Sequence, residues 1–155
     1  MKEKTFYMSP VYFDLINLVF INLVFFAFYR EAVSGPLLLR AAIGTPIALL
    51  SFYFESKACR VLEECRSHPE RVKKLITHGV YSNIRHPIYL GRILLNLGFL
   101  IILPIIPMLV VAVVFIMLWY IVALYEEKLL VKRFGKRYHK YKEKVPMFIP
   151  KKSTS

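Results

Sequence analysis

The 155-residue chain is 57% hydrophobic and 15% aromatic and carries a net charge of +12; its mean hydropathy is +0.49. A soluble domain of this size leaves too much of its chain in water to hide so many apolar side chains. The composition therefore excludes a soluble enzyme and a disordered chain and leaves a membrane protein, read as one domain over residues 1–155.

The apolar residues stand in blocks. Val11–Tyr29 carries one charge, Asp14, and at about 1.5 Å per residue it reaches roughly 28 Å, close to a hydrocarbon core. A signal peptide ending at the small residues Ala32 and Ser34 is the alternative, but its apolar core would be shorter. A second block, Pro36–Phe54, is interrupted by Arg40 alone. Ile93–Tyr125 holds no charged residue at all, and Pro104 and Pro107 divide it. The chain reads as an all-α integral membrane protein with about four transmembrane helices, over 11–29, 36–54, 87–103 and 108–125.

Charge sets the orientation. Lys and Arg number 2 in the first ten residues, 7 between Lys57 and Arg85, and 10 from Lys128 onward, whereas the segment between the first two spans has only Arg30. The positive-inside rule puts both termini and the 57–86 segment in the cytosol. The basic residues thus speak for topology and anionic lipid head groups, and no nucleic-acid motif accompanies them. Cys59 and Cys65, too few for a disulfide scaffold, are read as reduced cytosolic thiols.

Two cytosolic stretches carry groups suited to chemistry. Before the third span runs Ile76-Thr-His-Gly-Val-Tyr-Ser-Asn-Ile-Arg-His-Pro-Ile-Tyr-Leu-Gly91. Gly79 permits a tight turn, and Pro87 suits a first helical position. Arg85 and the free N–H groups at that helix start suit an anion such as a carboxylate, while Tyr81 and Tyr89 offer aromatic faces; interfacial anchoring is the plainer use of all three side chains. After the fourth span come the adjacent carboxylates Glu126 and Glu127, about 100° apart on a helix. Leu130, Phe134, Tyr138, Tyr141 and Val145 then form an apolar stripe between basic residues. That pattern predicts a cytosolic C-terminal amphipathic helix lying on anionic lipid, bent or ended at Gly135, and able to fold back beneath the 76–90 segment. Within the spans, Asn17 and Asn22 read as helix-pairing residues, while Arg92 reaches toward the interface or a polar substrate group. His68, His78 and His139 show no metal-ligand spacing, and no metal is assigned.

Gly79-Val-Tyr81 followed by Arg85-His-Pro-Ile-Tyr-Leu-Gly91, then Glu126-Glu127, Phe134-Gly135, Tyr138, Tyr141 and Val145-Pro-Met-Phe-Ile-Pro150, resembles the isoprenylcysteine carboxyl methyltransferase and phospholipid methyltransferase superfamily. The likeness covers roughly residues 73–150. It implies an integral membrane methyltransferase using S-adenosylmethionine, held by cytosolic segments 73–91 and 122–150. Carried over by position, cofactor contacts fall on Lys73, Lys74, Leu75, Ile76, Tyr81, His86, Pro87, Ile88, Tyr89 and Glu126, with Gly79 and Arg85 in the motif. The acceptor implied is a membrane lipid or a lipidated small molecule, either an isoprenylcysteine carboxylate or a lipid head group. The carboxyl methyltransferases have a substrate-holding arginine where this chain has Val122, and Arg92 is the candidate to replace it. Two rival readings remain. One is a membrane sterol reductase using NADPH, which has a similar Arg-His-Pro-x-Tyr-x-Gly stretch; the other is a small non-enzymatic membrane scaffold or transport accessory.

Overall fold

A computed structural model describes residues 10–61 and 74–149. Among them there is no strand: α1 (Pro10–Ala27), α2 (Tyr29–Val33), α3 (Leu37–Val61), a 3-10 turn at Gly79–Ser82, α4 (Pro87–Ile102), α5 (Ile106–Phe134) and α6 (Lys136–Lys144). The helices follow the expected blocks with three differences. Phe28, at φ −119° and ψ 33°, separates α1 from the single turn of α2. The apolar stretch expected to end at 54 continues as helix to Val61, because the residues after Phe54 bring charge but neither Gly nor Pro to stop it. The last helix is a short piece beyond Gly135, where the backbone takes φ 51°. A side chain there would have open space, so glycine is needed for backbone conformation alone.

α3 and α4 form the most extensive helix pair. They approach backbone to backbone: a methyl group on Gly44 would lie 2.6 Å from the Gly98 carbonyl oxygen, and one on Gly91 would lie 2.9 Å from that of Ser51. Small residues permit this spacing, and dispersion between backbones replaces the side-chain interlock of larger residues. The pairing of 44 with 98 and 51 with 91 makes the two helices antiparallel.

The core lies where α5 meets α4 and α1. Met108, Ala112, Phe115, Trp119, Ala123 and Glu127 follow each other at helical spacing and are all buried. The outer faces are apolar and exposed, including Leu23, Phe26, Leu38, Phe52, Met117 and Ile121. Two helices, Leu37–Val61 and Ile106–Phe134, are long and apolar enough to cross a membrane, and two shorter apolar ones are Tyr12–Ala27 and Pro87–Ile102.

Beyond Tyr125, α5 continues into polar sequence and α6 turns back. Tyr138, Tyr141 and Val145 pack with Leu75, Leu130, Val131 and Phe134. The stripe expected to lie on lipid is thus spent on protein, while Lys136, Arg137, Lys140 and Lys144 remain outside. Cys59 is disulfide-bonded rather than a free thiol; Cys65 lies outside the described residues.

Candidate functional site

The site forms where the start of α4, the end of α5 and the chain after α6 meet. Pro87 occupies the first turn of α4, where its missing N–H costs nothing. The N–H groups just before it are used by the C-terminal segment: Arg85 N–H donates to the Pro146 carbonyl at 3.0 Å and His86 N–H to that of Met147 at 3.2 Å. These two donors are therefore satisfied within the chain. The anion that Arg85 holds is also internal. Its Nη1 lies 2.5 Å from Glu127 Oε1, and the two side chains are only 9% and 5% exposed.

Glu127 is the hub. His86 Nε2 donates to Glu127 Oε1 at 3.3 Å, since an ionised carboxylate only accepts. Lys142 Nζ, from α6, lies 2.7 Å from Glu127 Oε2. Burial opposes the charge of Glu127, but the hydrogen bonds from His86 and Lys142 and the charge of Arg85 outweigh it and bring its pKa down to about 2. His86 Nδ1 faces the other carboxylate, with Glu126 Oε2 at 3.7 Å. Burial works to deprotonate the imidazole; the two glutamates outweigh burial and raise its pKa above the ordinary 6.5. Glu126 itself keeps 22% of its side chain exposed, so it is the hub's carboxylate that still faces outward.

Aromatic rings extend the site inward. Tyr89 stacks on His86 at 5.6 Å and on Trp119 at 5.9 Å. The Arg92 guanidinium lies over Trp119 at 4.4 Å and pairs with Asp14 at 2.5 Å. On the other flank, the Tyr141 hydroxyl donates to the Tyr81 carbonyl at 2.6 Å and so fastens α6 to the 3-10 turn. Burial, then the nearby Glu126 and Tyr141, push the Tyr81 phenol upward, and burial does the same for Tyr138 and Tyr141; all three stay neutral donors.

The residues singled out from sequence fall into groups. Tyr81, Arg85, His86, Tyr89 and Glu126 come together at this end of the bundle, with Pro87 buried and Ile88 half-buried beside them. Leu75 packs under α6, Ile76 is half-buried and Lys74 exposed. Gly79 opens the turn at φ 64°, with Val61 against it. Lys73 lies outside the described residues. Val122 packs against the core, and Arg92 is engaged by Asp14. Sequence reasoning missed the hub role of Glu127, its partner Lys142 and the ring of Trp119.

The family model for phospholipid methyltransferases matches residues 39–137. The chain belongs to the phospholipid methyltransferase family. The match runs from α3 through the Arg85–His86 and Glu126–Glu127 pairs to the start of α6. Comparison with curated proteins gives no significant match. A solved structure described as the eukaryotic intramembrane Ras methyltransferase ICMT (isoprenylcysteine carboxyl methyltransferase) is similar in fold. The TM-score is 0.64 at 24% identity, over 94% of this chain and 54% of that one. The chain therefore spans about half the length of that relative. Membership of the phospholipid methyltransferase family, the shared fold and the apolar helices make it an integral membrane protein.

Proposed function

We propose that the chain transfers a methyl group from S-adenosylmethionine to a lipophilic acceptor embedded in the membrane. The observation that carries this reading is the junction of Arg85–His86, just before α4, with Glu126–Glu127 on α5, next to the stacked rings of Tyr89 and Trp119.

The donor set suits the cofactor. Arg85 Nε is buried without a hydrogen-bond partner among the described residues, which favours an added carboxylate. Glu126, partly exposed, favours the cofactor's positive amino and sulfonium groups, and Tyr81 and Tyr89 offer flat faces to them and to a nucleobase. The residues that would hold it are Lys74, Leu75, Ile76, Gly79, Tyr81, Arg85, His86, Pro87, Ile88, Tyr89 and Glu126, with Lys73 from outside the described part. When bound, S-adenosylmethionine supplies an electrophilic methyl on its sulfonium. The chain's own task is then alignment and exclusion of water. His86, held between two carboxylates, is a positioning group rather than a nucleophile.

Four spans, over 11–29, 36–54, 87–103 and 108–125, with both termini in the cytosol, place this end of the bundle at the inner leaflet. Lys136, Arg137 and Lys140 then face anionic head groups. The acceptor is an isoprenylcysteine-like carboxylate or a lipid head group.

Purified protein incubated with membrane lipids and deuterium-labelled cofactor tests the reading. The expected result is one labelled methyl gained by a lipid and saturable binding of S-adenosylhomocysteine. Saturable binding of NADPH alone overturns it.

A further inference from the structure

Three buried polar atoms deeper in the bundle have no hydrogen-bond partner among the described residues: Asn17 Oδ1, Asn96 Oδ1 and Trp119 Nε1. Asn17 is 2% exposed and Asn96 and Trp119 are fully buried. Contacts around Arg92 link the three helices that carry them. Arg92 ties α4 to α1 through Asp14 and covers the Trp119 ring of α5, and Phe13 of α1 meets that ring edge-on at 5.9 Å. Asn17, three residues past Asp14, and Asn96, four past Arg92, stand on the same helix faces about one turn deeper. The Asn96 amide already donates to the Arg92 carbonyl at 3.0 Å, which leaves its oxygen as the unmet group. Unmade hydrogen bonds among apolar helices are costly, so three on helices linked in this way call for a ligand.

We propose that Asn17, Asn96 and Trp119 form a binding site between α1, α4 and α5 for the uncharged hydroxyl head of a membrane-embedded ligand. The inventory is one donor, the indole N–H, and two acceptors, the amide oxygens. A hydroxyl accepts from the first and donates to one of the others. An ester or ether only accepts, and an ammonium only donates. A carboxylate leaves both amide oxygens unmet and meets the charge of Asp14, while Arg92 is already paired. The site stands independently of the methyl-transfer reading.

Trp119 is the only tryptophan of the chain, so its emission reports on its own N–H. The test is to titrate the full-length protein, in lipid nanodiscs, with dodecanol, dodecyl methyl ether and dodecane. Dodecanol is expected to shift the emission saturably, with binding at least about tenfold tighter than either other probe. Whichever of Asn17→Leu and Asn96→Leu removes the oxygen that accepts from the hydroxyl is expected to weaken dodecanol by about fivefold to tenfold. An equal response to all three probes, or none to dodecanol because water alone fills the site, overturns the proposal. So does unchanged dodecanol binding in both variants, provided their unliganded emission and thermal midpoint match the parent. The series of probes on the parent protein decides the matter even where a variant does not fold. Failure of methyl transfer leaves these outcomes untouched, and failure here leaves methyl transfer untouched.

Discussion

His86 and Glu127, forty-one positions apart, meet through a buried contact of 3.3 Å between Nε2 and Oε1. That contact joins the residue that caps α4 to the last third of α5, and it is braced by Arg85 on the same oxygen and Lys142 on the other. Glu127 therefore works as a structural centre and Glu126 as the group left facing outward.

The two neighbouring glutamates should separate experimentally. Glu127→Ala strands Arg85 and His86 in a buried place and is expected to cost about 3 kcal/mol of stability, seen as a lower thermal midpoint in detergent. Glu126→Gln should keep the midpoint within a few degrees yet weaken S-adenosylhomocysteine binding by about tenfold, measured by calorimetry. Equal loss of stability in both variants would contradict this division.

Stability should depend on pH at both ends of the range. Glu127 has its pKa lowered from 4.5 to about 2, so its contribution is present above 4.5 and fades as pH falls toward about 2. His86 has its pKa raised above 6.5, so its contribution is complete below 6.5 and fades as pH rises through the raised value. The slope is at most about 1.4 kcal/mol per pH unit for each group. Thermal melts across pH should show His86→Gln flattening the alkaline limb and also weakening the acid limb, because His86 helps to hold the Glu127 pKa down.

Tyr141→Phe removes the donor to the Tyr81 carbonyl and leaves the ring in place. The expected loss is about 1 kcal/mol. Hydrogen exchange should rise over the 79–84 turn and not over α3. Uniform exchange changes along the chain would count against the local strap.

Gly98→Ala places a methyl 2.7 Å from the Ala48 nitrogen and 2.8 Å from the Gly44 carbonyl oxygen. Both are backbone atoms that cannot rotate away, so α3 and α4 must part, at about 2–3 kcal/mol. Gly135→Ala meets no atom and should cost about 1 kcal/mol through its positive φ alone. Melts of the two variants check the order.

Much of this was legible in the amino acids. Charge-free runs and prolines located the apolar helices, because burial in lipid demands long uncharged stretches. The Arg85–His86 and Glu126–Glu127 motifs marked the end of the bundle where the site gathers. The role of Glu127 was missed, although Met108, Ala112, Phe115, Trp119 and Ala123 set a buried stripe that reaches 127 and misses 126. Counting the stripe past the apolar run would have found it. Lys142 and the Pro146–Met147 carbonyls had no such signal, since long-range pairing between exposed-looking residues leaves no period. The Tyr138–Tyr141 stripe was visible, but amphipathicity alone does not tell lipid from protein as the covering surface.

The clasp of Pro146 and Met147 over the Arg85 and His86 amides has a consequence for biosynthesis. Ribosomes deliver those two carbonyls only after every apolar helix described here has been made. The ring of charges is therefore closed last, and a chain truncated after Lys144 should keep its apolar helices but leave the amides before Pro87 unclasped.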